Sequence, residues 1–174
     1  MLRALETGSC DAAVGLCREK QYESLTRVAE KKHLETERIC DLPLELTCRR
    51  THPLIQSGAI DYHLLDQYPV FSSIPFSGSG LYTPAPLARL GETALKRIVM
   101  GPCASRYRLL LDSDGYLVSL PVPKEETKEY DLESLPIADS DLTVLLLYHR
   151  NPQKTELIRE YIGNLRLCME GSSQ

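Results

Sequence analysis

No basic stripe runs through this sequence. Its longest basic clusters are the pairs Lys31-Lys32 and Arg49-Arg50, and the net charge is −4. A surface that grips duplex nucleic acid draws most of its affinity from phosphate contacts, so this chain alone is not expected to bind DNA. Long apolar runs are also missing. The longest, Val144 to Tyr148, falls far short of the roughly 20 residues of a membrane helix, and no membrane partner is expected. Met1 to Glu6 lacks the apolar core of a signal peptide. None of the 6 cysteines stands in a C-x-x-C pair. With no mark of secretion, they read as reduced, mostly buried thiols of a cytoplasmic protein. The 4 histidines show no H-x-x-x-H or Cys/His ligand spacing, so no metal is expected. Gly78-Ser79-Gly80 follows a strand, but Thr83 stands where a dinucleotide loop needs its third glycine, and no cofactor is expected.

What is present is an alternation of short apolar runs with longer amphipathic stretches, the pattern of an α/β fold. Leu2 to Thr7 reads as a helix stopped by Gly8, and Ala12 to Leu16 as a short buried strand. Arg18 to Lys32 offers little but Leu25 and Val28 to bury, which predicts loop with a solvated turn of helix. Leu34 to Ile39 alternates by face, and Leu42, Leu44, Leu46 and Cys48 share one side of an extended segment. Further strands are predicted over Val70 to Ile74, Leu95 to Met100 and Tyr116 to Val122. Leu81 to Gly91 reads as a Pro-interrupted helix, Cys103 to Ser113 as a helix closed by Asp114-Gly115, and Lys124 to Asp131 as charged connector. Leu142 to His149 is the strongest strand signal. The last helix opens on Asn151, a cap, and Pro152, suited to a first turn. Its stripe of Leu157, Ile158, Tyr161, Ile162 and Leu165 should lie on a sheet. Leu147 and Ile162 are expected to be buried where the last strand and last helix pack together.

Four segments, in order over nearly the whole chain, resemble the effector-binding domain of LysR-type transcriptional regulators. They are Leu2 to Val14, with its helix, Gly8 and the Asp11-led strand; Leu34 to Cys48 with Thr51-His52-Pro53-Leu54; Leu64-Leu65-Asp66-Gln67-Tyr68-Pro69-Val70-Phe71 and the strand-turn-helix-strand ending Leu117 to Pro121; and Leu135-Pro136-Ile137 with Leu142 to Arg150 and the terminal helix. The resemblance implies a two-lobed α/β fold like the type 2 periplasmic binding proteins, its lobes joined by two crossing strands. Residues 1–40 and 136–174 would form the first lobe and 41–135 the second, with the extended segments near Glu37 and Pro136 as hinge. The family's winged helix-turn-helix and linker helix have no counterpart here. Nor has the strand, helix and strand that precede the match to Leu2. The resemblance therefore implies a domain truncated at its N-terminus, its first lobe incomplete and exposing a sheet edge. His52, in a family-like turn, should be a surface or capping residue.

Open α/β sheets place ligands at loops on strand ends. Here these are Gly15, Leu16 and Cys17 in the first lobe. In the second they are Ser72, Ser73 and Ile74, with Pro102 and Cys103 at the entrance of the next helix. The expected pocket is concave and only mildly polar, with Arg18 the nearest cation. It suits a small, partly apolar effector such as a carboxylate, held by N–H groups and hydroxyls in the interlobe cleft. Cys103 at a helix start is the best candidate nucleophile, because that position lowers a thiol pKa, but no local motif supplies a base. The leading function is therefore an effector-sensing module of a transcription regulator, not an enzyme. It would reach DNA only through a separate domain, and the intact protein would be a homo-oligomer using the helix that ends at Thr7. The alternatives are a transporter's solute-binding protein and, further off, an enzyme on the same fold.

Overall fold

The computed structural model describes residues 2–56, 58–72, 97–100, 105–149 and 155–171. The chain divides into two compact units, Met1–Leu42 with Asp141–Gln174, and Pro43–Ser140. It passes from one to the other after Leu42 and returns after Ser140.

In the first unit α1 (Leu2–Glu6) leads to β1 (Ala12–Cys17), α2 (Glu19–Glu30) and β2 (Leu34–Leu42). Gly8, at φ 68°, takes the left-handed conformation that turns the chain out of α1. α2 replaces the predicted loop with a full 12-residue helix. Its apolar side is Tyr22, Leu25 and the fully buried Ala29, spaced 3 and 4 residues apart, while Val28 faces solvent. A stripe of one aromatic, one leucine and one alanine is thin. It suffices because a neighbouring sheet covers it.

The strand β8 (Leu142–His149) is the centre of that sheet, antiparallel to β1 on one side and β2 on the other. Residues 142–147 are all buried, which is why this strand reads as a continuous apolar run and not as an alternation. Leu145 and Leu147 pack with Leu5, Cys17, Ala29 and Leu34 under α1 and α2. Leu146 faces the opposite way, onto Ile158 and Ile162 of the helix α5 (Thr155–Gly171). Leu147 and Ile162 are thus both buried, but on opposite faces of the sheet. α5 also departs from its predicted stripe. Leu157 is 68% exposed and Tyr161 47%, because the helix lies over Leu146 and leaves its flank beside β1 uncovered. Among the described residues β1 pairs with β8 alone, and its Val14 is 40% exposed.

The second unit holds β3 (Glu45–Arg49), β4 (Val70–Ser72), β5 (Arg97–Val99), α3 (Ser105–Leu111), β6 (Tyr116–Ser119), α4 (Lys124–Glu129) and β7 (Leu132–Pro136). The sheet order is β5-β4-β6-β3-β7. β4 runs parallel to β5 and β6, and β3 antiparallel to β6 and β7. Lys124 to Asp131, expected as connector, contains the short α4, and β6 stops at Ser119, before Val122. Phe71, Leu117 and Leu132 of the sheet pack against Tyr107 and Leu110 of α3. Gly115 is fixed by that packing, since a Cβ there would come within 2.2 Å of the Phe71 ring.

His52 caps the turn as expected, but from the interior rather than the surface, at 0% exposure. Its Nδ1 accepts from the Leu54 N–H at 3.1 Å, so the proton sits on Nε2, which donates to the Asp114 carbonyl at 3.0 Å. The Tyr68 ring stands edge-on at 4.6 Å. Predicted features over residues 73–96, with Asn151 and Pro152, lie outside the described residues.

Candidate functional site

Register decides which ends of the second unit's sheet coincide. Ser72 pairs with Val99 and with Val118, Ser119 pairs with Glu45, and Glu45 pairs with Pro136. The C-terminal ends of the three mutually parallel strands β4, β5 and β6 therefore share one end of the sheet with the start of β3. That is the end where open α/β sheets bind ligands, because the loops leave the strands there and helices begin there. Ser72 lies in this row. Ser73, Ile74, Pro102 and Cys103 lie outside the described residues.

The same end carries a group that reading the sequence did not single out. Glu45 is half-buried and accepts from the Val122 N–H at 3.3 Å. Burial pushes its carboxyl above the ordinary range, against the pull of the Val122 and Ser134 hydrogen bonds and the Lys124 charge. Two residues along, on the same face, the Thr47 and Ser134 hydroxyls meet at 2.6 Å. Ser119 is buried and donates to the Leu120 carbonyl at 2.8 Å. The available signal was Leu44-Glu45-Leu46-Thr47: alternation that buries the leucines on one face necessarily sends Glu45 and Thr47 together to the other. Of this cluster only the half-buried Glu45 carboxyl can reach a ligand donor, while the Thr47 and Ser119 hydroxyls are buried and bonded within the unit.

In the first unit Gly15 and Cys17 are buried within β1, opposite Leu145 and Thr143, and Leu16 is half-buried opposite Val144. Burial, and next the neighbouring Glu19, raise the Cys17 thiol; Cys48, buried in the other unit, is pushed up to about 12. Neither is a thiolate at neutral pH, so neither is primed for nucleophilic work. Arg18 is the N-cap of α2. Just beyond, Arg38 Nη2 lies 2.8 Å from Glu19 and 2.6 Å from Asp41. The buried Thr143 hydroxyl bridges the same two carboxylates at 3.3 and 2.9 Å. This network ties the start of α2 to the strands that lead out of the unit. A cavity of about 320 Å³ also opens in this unit, lined mainly by Ala12, Val14, Leu146, Leu157, Ile158 and Tyr161. Gly15, Leu16 and Cys17 do not line it. Among the described residues no group of three or more His, Cys, Asp or Glu is placed to hold a metal, and no helix is long and apolar enough to cross a membrane.

No protein-family model and no curated protein matches the chain. Solved structures do. The regulatory domain of MetR, a LysR family regulator from N. meningitidis, superposes with a TM-score of 0.67 at 11% identity, covering 95% of this chain and 73% of that one. The reduced OxyR regulatory domain from Pseudomonas aeruginosa gives 0.60 at 17% identity, over 96% and 77% of the two chains. The effector binding domain of a BenM variant gives 0.61 at 13%, over 98% and 77%. Against full-length OxyR from P. aeruginosa the chain spans 53% of the length. At such identities the likeness is one of fold. The chain has the fold of the regulatory domains of LysR-type regulators, a type 2 periplasmic-binding-protein-like fold.

Proposed function

We propose that this chain is a small-molecule-sensing regulatory domain of a cytoplasmic transcription regulator, and that its effector is held by strand ends of the interlobe cleft that the resemblance implies. The contacts assigned to it are Gly15, Leu16 and Cys17 on one unit and Ser72, Ser73, Ile74, Pro102 and Cys103 on the other, with Glu45 added. The observation that carries the reading is the shared end of β4, β5 and β6, in a fold common to three regulatory domains. Sensing would work by population shift: an effector biases the arrangement of the units only by its difference in affinity between their arrangements. DNA contact and assembly of the intact regulator would belong to a separate domain and to further surfaces.

The test is a thermal-shift screen of small monocarboxylates bearing an aromatic or short aliphatic group. A compound at about a hundred times its Kd stabilises the folded chain by about 2.7 kcal/mol, a shift of several degrees. Ser72→Ala should weaken the best compound about tenfold and leave the unliganded melting temperature in place. A hit indifferent to Ser72→Ala, or a panel without a hit, overturns the proposal.

A further inference from the structure

Several arginines of this chain are matched to acids. Arg38 faces Glu19 and Asp41, Arg49 faces Asp114, and Arg166 faces Glu37. Arg106, half-buried in the first turn of α3, has no carboxylate within ion-pair reach among the described residues. Its guanidinium is nevertheless fixed. Nη2 donates to the Tyr107 hydroxyl at 2.5 Å, the group lies 4.7 Å from the centroid of that ring, and Nε is sealed from solvent without a hydrogen bond. Tyr107 is itself buried in the core between α3 and the sheet, and its hydroxyl donates to Glu126 in the first turn of α4. An arginine held in this way has already given up much of its side-chain freedom. Nη1, neither sealed nor bonded among the described residues, is its open corner. A guanidinium drawn partly out of water without an anion is a cost that a bound anion would offset.

Its place in the fold says where such an anion would belong. α3 is the helix that follows β5, and α4 the helix that follows β6. Both strands end in the row they share with Ser72 of β4. The chain of contacts from Arg106 through Tyr107 to Glu126 therefore joins the first turns of two helices that leave the ligand end of this sheet. We propose that Arg106 is the anion-binding residue of the effector site, its Nη1–Nη2 edge meeting one carboxylate of the effector. This rests on the effector reading above and adds to it what the effector must carry. One guanidinium edge matches the two oxygens of one carboxylate. Glu45, Glu126 and Lys124 stand around the same end, so together with Arg106 its charges nearly cancel and leave no positive excess for a dianion such as phosphate.

The probe pair is the best carboxylate of the thermal-shift panel and its primary amide, titrated by calorimetry into the parent, Arg106→Gln and Arg106→Lys. The parent should bind the acid about tenfold or more tightly than the amide. Arg106→Gln should bring the two within about twofold, by weakening the acid and sparing the amide, and Arg106→Lys should restore part of the preference. Acid and amide are compared on the same protein, so any loss of stability in a variant cancels. A full acid preference in Arg106→Gln overturns this inference, and leaves the effector reading standing where Ser72→Ala still weakens the acid. Equal binding of acid and amide by the parent overturns it as well, as does inorganic phosphate bound more tightly than the carboxylate. A panel without a hit overturns both readings.

Discussion

Truncating Leu147 to alanine probes the centre of the first unit. Its side chain is 0% exposed and packs among Leu5, Cys17, Ala29, Leu34 and Leu145, so elements from both ends of the unit's chain converge on it. The substitution removes about three carbons, worth about 2.4 kcal/mol at 0.8 kcal/mol per buried methylene. Neighbours on the strands β1 and β2 are fixed by the sheet and can close the void only partly. The cavity term then brings the cost to about 3–5 kcal/mol. Leu157→Ala is the control, because that side chain is 68% exposed and its loss should cost less than about 0.5 kcal/mol. Urea unfolding followed by far-UV circular dichroism, with exchange protection of the β8 amides to assign the loss to this unit, measures both. Ile162→Ala, on the far face of β8, should add to Leu147→Ala within about 0.5 kcal/mol. A cost below about 1 kcal/mol for Leu147→Ala would mean that the two-sided burial of β8 is wrong.

Two further outcomes follow from charge. Burial raises the Glu45 carboxyl in the folded chain, so between its unfolded and folded titrations the folded state keeps a proton the unfolded state has released, and stability falls as pH rises through that window. Glu45→Gln still offers an oxygen to the Val122 N–H; it should be more stable than the parent above the window and lose that advantage below it, read as urea midpoints against pH. An advantage that grows as pH falls refutes the assignment. At a net charge of −4 and without a basic stripe, the chain alone should give no salt-dependent shift of duplex DNA in a gel titration, and a steep salt slope would refute this.

The placement of Glu45 at the end of the β4–β6 row gives the candidate site a polar character that its serines and glycine do not. Its partners, Val122, Ser134 and Thr47 beside it, come from three separate stretches of chain. The site end of this unit is thus braced by hydrogen bonds between a strand start, a loop and a neighbouring strand. That bracing restrains the Ser119–Val122 segment next to the ligand end proposed above.

The amino-acid sequence by itself determined the α/β alternation, the helix that stops at Gly8, the central strand 142–149 and the buried run Leu42, Leu44, Leu46 and Cys48. Each is a local periodicity or punctuation, written in neighbouring residues. It also offered His52, just ahead of Pro53, as a surface or capping residue, and the structure takes the capping role. What it could not determine is what lies opposite each face. α2 looks too polar to be a helix until a sheet is placed over Tyr22, Leu25 and Ala29. Leu157 and Tyr161 look buried by spacing, but α5 centres on Leu146 and reaches only Ala12 of β1, leaving Val14 exposed. Val14 looks like core in a run of small apolar residues, yet it is 40% exposed, and among the described residues β1 pairs with β8 alone. His52 reaches the interior because Asp114, 62 residues away, offers its carbonyl. Glu45 entered the candidate site because antiparallel register sets it opposite Ser119. Burial and register are relations between segments far apart in the chain, and only tertiary packing sets them.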